Sequence, residues 1–568
     1  MSNEQMLYDR MKNCLQLLYD DEGGWVFDEI LELAGKWKSK PTAFSKRDWV
    51  DQRDVMLITY GDSILHEGEK PLAALNRFLN RYMKDTISAV HILPMYPFTS
   101  DDGFSVVDYY EINPELGTWQ DISGLAKCYD MMYDAVVNHI SKSSSWFQGF
   151  LQGDEVYKGF FIEADPAKDY SSVTRPRALP LLTAFETKEG TKHVWTTFSE
   201  DQIDLNFKNS KLLLEVINLL LYYAYNGARF IRLDAIGFAW KELGTNCMHL
   251  KQTHAIVKLF RAALDLVFPG TILITETNVP HQDNISYFGN GFDEAQLVYQ
   301  FPLPPLVLFS FLTGNAAKLS QWAKSLEKTA LSSSNTYFNF LASHDGIGMR
   351  PVENILDEQE KEIMLQSVLK HGGNISYKFN GDGSKSPYEL NINYLDALTD
   401  PNSLDLQQRV DKFIAAQSIL LSVIGVPGIY IHSLLGSQNW REGVEESGIY
   451  RRINREKLEY EKTCRELEDG AHLRSMIFRR FAKLIDLRRQ QSAFAPIAEQ
   501  QVLLLDERAF SFIRYNSDTN EKILVLVNVS SEHYDMQLDY DGFDIINNEL
   551  INRNADLKPY MARWIKLN

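Results

Sequence analysis

Eight short, almost wholly apolar runs recur along the 568 residues, most followed by a segment of helical spacing, and no other feature restricts the fold as much. They are Val55–Tyr60, Val90–Pro94, Tyr133–Val137, Phe230–Leu233, Ile272–Thr275, Leu297–Phe301, Tyr337–Leu341 and Ile429–Ile431. Runs that stay apolar at successive positions, rather than alternating, belong to strands buried on both faces, as in a parallel sheet covered by helices. Eight such strands interleaved with helices predict an α/β chain closed into a (β/α)8 barrel, the TIM barrel, whose chemistry collects at the C-terminal strand ends.

The spacing of the runs also predicts where the chain departs from a plain barrel. Residues 1–50 read as an amphipathic helical extension and 51–496 as the barrel. About 140–227 is too long for one connection and is rich in Pro, Thr and aromatics, which marks an inserted subdomain followed by a helix over Lys211–Tyr225. About 346–400 is a second insertion, carrying Gly373, Gly381 and Gly383, and reads as an active-site loop. From 497 to 568 the pattern turns to short alternating strands, Gln501–Leu505, Phe510–Tyr515 and Lys522–Val529, a small all-β C-terminal domain. The stretch Phe413 to Gly436 has no formal charge and is long enough for a bilayer. Gly425-Val426-Pro427-Gly428 divides it into an apolar helix, a turn and the strand Ile429–Ile431, so a buried helix–strand unit is expected instead.

Composition narrows the partners. A net charge of −18 disfavours nucleic acid and anionic membrane surfaces. Cys14, Cys128, Cys247 and Cys464 lie far apart, without disulfide or metal-ligand spacing, which fits a reduced, cytoplasmic protein. The N-terminus mixes charge with apolar residues and has no signal-peptide core. No dinucleotide fingerprint, phosphate loop or metal-ligand cluster is present, so neither cofactor nor metal is expected.

Three strand ends present carboxylates in the order Asp234, Glu276, Asp345. Arg232 stands two residues before Asp234 and shares its face, where a guanidinium favours the ionised form a nucleophile needs. A lone acid of this kind is most often one half of a salt bridge. Three on one barrel rim point to glycoside chemistry, with one acid as nucleophile and another as general acid/base.

These acids sit in a set of motifs: Asp101-Asp102-Gly103-Phe104, Asp134-Ala135-Val136-Val137-Asn138-His139, Arg232-Leu233-Asp234, Thr275-Glu276-Thr277, His344-Asp345-Gly346-Ile347-Gly348 and Arg451-Arg452-Ile453-Asn454-Arg455. From about Val55 onward the chain resembles the α-amylase-type glycoside hydrolases, and more narrowly their sucrose-phosphorylase branch. The resemblance implies Asp234 as nucleophile, Glu276 as general acid/base, and Asp345 as holder of the glucose 2- and 3-hydroxyls. It implies Arg232 and His344 beside these acids, His139 on the donor glucose, Asp101 and Arg451 at its 4-hydroxyl, and Phe104 and Phe198 as apolar walls. In the inserted subdomain, Arg175-Pro176-Arg177 matches the family's acceptor-side arginine segment, with Arg177 the cation for phosphate.

The acceptor-side motifs depart from sucrose phosphorylases, which place a histidine two residues after the general acid where this chain has Asn278. Their mobile-loop aspartate and glutamine are replaced here by Ser386-Pro387-Tyr388-Glu389. A site that has lost hydrogen-bonding partners discriminates against the substrate that needs them. Together with the N-terminal extension, these departures resemble the glucosylglycerate phosphorylases of the branch. The implied partners are 2-O-α-D-glucosylglycerate, inorganic phosphate and glucose 1-phosphate, with Arg177 or Arg350 facing the glycerate carboxylate and Glu389 needing a charge partner. Sucrose, sucrose 6-phosphate and glucosylglycerol are the alternative donors; a plain α-glucosidase or transglucosylase, and an inactive barrel, are the competing classes.

Overall fold

The computed structural model describes residues 3–41, 47, 49–177, 179–329, 331–379 and 384–568, so Gly381 and Gly383 lie outside the described residues. Eight parallel strands close into a barrel: Met56–Thr59, Ala89–Ile92, Asp130–Ala135, Ala228–Leu233, Ile272–Thr275, Leu297–Tyr299, Thr336–Asn339 and Val426–Tyr430. Each strand pairs with its neighbour in chain order, and the eighth closes on the first through Met56↔Gly428 and Ile58↔Tyr430. Most strand residues are buried, which explains why the runs lack alternation.

Two strands start three residues earlier than the sequence reading placed them. The third starts at Asp130, three residues early, because Met131 and Met132 are buried strand residues. The eighth takes in Val426, Pro427 and Gly428, which the sequence reading gave to a turn. The turn is Gly425, whose φ of +126° suits glycine. Gly428 belongs to the strand because a Cβ there would lie 2.4 Å from the Phe338 ring on the neighbouring strand.

The amphipathic start of the chain is two helices, Asn3–Tyr19 and Gly23–Lys38, laid on the barrel's outer helices. Trp37 donates to Asn218 at 3.0 Å, and the Tyr19 hydroxyl to the Phe207 carbonyl at 2.7 Å. Between the third and fourth strands lie an antiparallel pair, His139–Ser141 with Gln202–Asp204, and a hairpin, Leu182–Thr187 with Gly190–Trp195. The buried Lys241 ammonium binds Asp204 at 2.6 Å and Asn138 at 2.9 Å, so the oxygens at the root of this excursion already hold a cation of the protein's own. After the seventh strand, Ile347–Gly348, Lys385–Asn391 and Asn374–Phe379 form a small antiparallel sheet. Beyond the helix Leu473–Arg489 comes a six-stranded antiparallel sheet that begins at Glu499. Its buried Arg514 donates to the Ser422 carbonyl at 2.7 Å and the Ala495 carbonyl at 2.6 Å. The four cysteines are free, and no helix among the described residues is long and apolar enough to cross a membrane.

Candidate active site

All thirteen residues singled out from the sequence line one cavity at the strand mouths: Asp101, Phe104, His139, Arg177, Phe198, Arg232, Asp234, Glu276, Asn278, His344, Asp345, Glu389 and Arg451. Arg350 does not line it.

The barrel builds one wall. Arg232 ends the fourth strand and reaches sideways to Asp134, its register partner on the third, forming a buried ion pair. It also donates to Asp234 at 2.9 Å and stands 3.8 Å from Glu276. His91 on the second strand holds the other Asp134 oxygen at 2.6 Å. Burial presses the Asp134 carboxyl upward, but Arg232 and His91 outweigh it and hold it down at about 2. Immediately after Asp234 the chain turns through Ala235 in the left-handed region, φ +47°, and the Ala235 amide donates to Glu276 at 3.2 Å. Asp101 and Asp102 on the rim are also left-handed, at φ +54° and +48°. Strain of this kind is retained where the surroundings force a side chain into place.

One guanidinium serving three carboxylates changes the charge argument. Burial, opposed by Arg232 and reinforced by Glu276, Asp134 and Asp345, pushes the Asp234 carboxyl up to about 8. Glu276 is raised as well, chiefly by burial. Arg232 is shared with Asp134, so its pull toward the ionised form of Asp234 is opposed by burial and by the neighbouring carboxylates. Burial and the neighbouring carboxylates thus favour the protonated form of both members of the Asp234–Glu276 pair, and Arg232 favours the ionised form. Arg232 lies closer to Asp234 than to Glu276, 2.9 Å against 3.8 Å, which favours Asp234 as the ionised member of the pair.

Asp345 shows the opposite behaviour. Burial would raise it, but Arg451 at 2.8 Å and Arg455 at 3.7 Å hold it well below the usual carboxylate range, with the His344 ring 3.5 Å away. Arg455 and Asn454 also fix its backbone, donating to the His344 carbonyl at 2.7 Å and the Asp345 carbonyl at 3.0 Å. The Phe104 ring stacks on His344, with centroids 4.8 Å and planes 8° apart. The Arg232 guanidinium lies 5.7 Å from the centre of Phe104. Burial lowers His344 to about 3 and His139 to about 4, so both rings are neutral. His139 contacts the Phe104 carbonyl at 2.9 Å and packs against Phe198 at 5.1 Å.

The facing wall comes from the two excursions. Arg177 binds Asp101 at 2.8 Å and covers Phe198 at 5.6 Å. Burial would raise Asp101, but Arg177 and Arg451 hold it well below the ordinary range. Glu389, buried on the strand Lys385–Asn391, takes two 2.9 Å bonds from Arg451, a bidentate pair that supplies the charge partner this position needed. A Cβ on Gly346 would lie 2.5 Å from the Leu390 carbonyl, so the turn after Asp345 touches this strand directly. The Asn278 carbonyl oxygen is buried without a hydrogen-bond partner, and the residue lines the cavity.

Sequence reasoning missed Gln202 and Tyr388. Gln202 is buried beside Asp101, the Phe104 carbonyl and His139, at 3.1–3.2 Å from each. Tyr388 lines the cavity next to Glu389. Neither follows a strand of the barrel or carries a charge, so no pattern in one sequence picks them out.

The profile for the alpha amylase catalytic domain matches residues 80–382. The chain belongs to the alpha-amylase family. It is 49% identical to the glucosylglycerate phosphorylase of Spirochaeta thermophila, over 92% of this chain and 89% of that protein. It is 48% identical to that of Allomeiothermus silvanus, over 97% of each. Among solved structures, the sucrose 6F-phosphate phosphorylase from Thermoanaerobacter thermosaccharolyticum superposes with a TM-score of 0.73 at 25% identity, covering 89% of this chain and 98% of that one. These relatives are glycoside phosphorylases of the alpha-amylase family.

Proposed function

We propose that this protein is a retaining α-glucoside phosphorylase converting 2-O-α-D-glucosylglycerate and phosphate to glucose 1-phosphate and D-glycerate. The observation that carries the reading is near-full-length identity of 48–49% to two proteins of that activity, against 26–31% to sucrose and sucrose 6(F)-phosphate phosphorylases.

The chemistry divides between the residues as follows. An Asp234 carboxylate oxygen attacks the anomeric carbon while the bond to the glycerate oxygen breaks, and Glu276 gives that oxygen its proton. The product of this half is a β-glucosyl ester on Asp234. Asp345, kept ionised by its arginines, holds the 2- and 3-hydroxyls as positive charge develops on the sugar, and the faces of Phe104 and Phe198 lie alongside. In the second half a phosphate oxygen attacks the same carbon. The ester bond to Asp234 breaks, the deprotonated Glu276 takes up any proton on the incoming oxygen, and two inversions leave the α configuration.

Arg177 serves the anions. With Asp101 as its resting partner, it has a charged face at the cavity mouth for phosphate or for the glycerate carboxylate. Asn278 offers its unsatisfied side-chain oxygen to a glycerate hydroxyl, and Arg451 links Asp345 to Glu389 so that sugar and acceptor contacts move together. Residues 1–50, 140–227, 346–400 and 497–568 are units added to a barrel of 51–496, the second and third shaping the acceptor side.

The test is release of glucose 1-phosphate from glucosylglycerate, sucrose, sucrose 6-phosphate and glucosylglycerol, each with and without phosphate. Phosphate-dependent release from glucosylglycerate above the other three is expected. Sucrose as the best donor would transfer the assignment to a sucrose phosphorylase. Free glucose without need of phosphate would leave a hydrolase.

A further inference from the structure

A second cavity, of about 420 Å³, lies on the flank of the barrel, and none of its lining residues lines the active site. It opens between the helices Leu303–Thr313, Glu358–Lys370 and Leu406–Ser422, with Tyr560 from the turn before the last strand of the C-terminal sheet at its side. Its charge is one-sided. Lys370, Arg409 and Lys412 line it, and Asp400 is the one carboxylate among its lining residues. Asp400 is occupied by the Asn402 amide at 2.8 Å, and Arg409 is paired from behind with buried Asp396 at 3.2 Å.

Lys412 has no carboxylate within 4.0 Å among the described residues, whereas Lys370 is exposed at the rim and feels the Asp400 charge. The Lys412 ammonium lies 5.2 Å from the centre of the Tyr560 ring, and burial pushes it down to about 8. A half-buried cation without a counter-ion is costly, and an anion in the cavity removes that cost. Hydroxyls of Ser367 and Ser403 line the same space as further polar groups, and Leu312 and Tyr560 give it an apolar side.

We propose that this cavity is a second binding site for a phosphate-bearing small molecule, held by Lys370, Arg409 and Lys412, and that its occupancy adjusts the acceptor side of the active site. Three donors of positive charge with surrounding hydroxyls suit a tetrahedral dianion better than a carboxylate. The volume and the apolar side suit a phosphorylated sugar as well as free phosphate. The route to the active site is short. Asp396 binds Arg409 with one oxygen and the Asn439 amide with the other, at 2.7 Å. The Asn439 side chain takes the Asn393 amide at 2.8 Å. Asn393 follows the strand that carries Tyr388 and Glu389 and caps the helix whose Tyr394 lines the catalytic cavity. An anion that draws on Arg409 alters its grip on Asp396 and so the anchor of that strand.

The test uses the full-length protein and two replacements away from the catalytic groups, Lys412→Met and Lys370→Gln. Glucose 6-phosphate and inorganic phosphate are titrated separately by calorimetry, and acceptor KM is measured with and without each. In the wild type, phosphate is expected at two sites, and Lys412→Met should remove one of them while leaving turnover without added effector unchanged. A tenfold or greater weakening of glucose 6-phosphate by both replacements identifies a sugar phosphate as the ligand. Weakening confined to inorganic phosphate identifies the free anion. Equal binding of both anions to wild type and variants would overturn the site, whatever the donor specificity proves to be. Binding with no change in acceptor KM would overturn the regulatory role.

Discussion

The two walls of the active cavity are built by different rules. On the donor wall, Asp134, Arg232, Asp234 and Glu276 sit on or one residue beyond adjacent strands, and their relative positions follow from barrel register. On the acceptor wall, Arg177, Tyr388 and Glu389 come from excursions outside the barrel and are held by ion pairs, Arg177 to Asp101 and Glu389 to Arg451. A backbone ladder fixes geometry. A bidentate ion pair at a cavity mouth can exchange partners when an anionic substrate arrives. The difference explains how one family keeps a common glucosyl chemistry while its members accept different second substrates.

The largest break should come from the donor wall. Asp234→Asn should lower turnover about 10⁴-fold or more and prevent any glucosyl-enzyme from being trapped; turnover near wild type would remove Asp234 as nucleophile. Glu276→Gln should cost about 10³-fold on glucosylglycerate and far less on α-glucosyl fluoride, whose leaving group needs no proton. Equal losses on both donors would contradict the acid role.

The raised Glu276 carboxyl supplies a pH test of the same wall. Its proton is present below the raised value and is lost as pH climbs through it, so cleavage of glucosylglycerate should fall on the alkaline side. With α-glucosyl fluoride that limb should flatten in the first half-reaction, and an identical limb for both donors would place the controlling group elsewhere.

On the acceptor wall the effects should be smaller and selective. Arg177→Ala should raise the phosphate KM about 10- to 100-fold and divert glucosyl-enzyme to water, so free glucose rises as glucose 1-phosphate falls. A matched fall in both products would assign Arg177 to the donor side.

Legibility followed the same division. The eight strands were readable because double burial makes them apolar at successive positions, and the three acids because each stands just beyond such a run. The end strand was misjudged because Pro427 and Gly428 read as turn formers, while Gly428 is there to admit Phe338 from across the sheet. That contact spans 90 positions and leaves no local mark. The sharing of Arg232 was hidden for a like reason: its adjacency to Asp234 is visible in sequence, but the competing claim of Asp134 comes from the neighbouring strand. Glu389 could be named but not partnered, since Arg451 lies 62 residues on. Gln202 and Tyr388 gave no signal of type or spacing.

The most direct measurement is the choice of acceptor from a common donor. With glucose 1-phosphate as donor, transfer to D-glycerate, fructose and glycerol is compared in the wild type and Asn278→His, alongside hydrolysis without acceptor. The account predicts that the replacement lowers the preference for glycerate over fructose at least tenfold while hydrolysis stays near wild type. Collapse of hydrolysis together with transfer, or an unchanged preference, would contradict the division between a barrel-fixed donor wall and a loop-built acceptor wall.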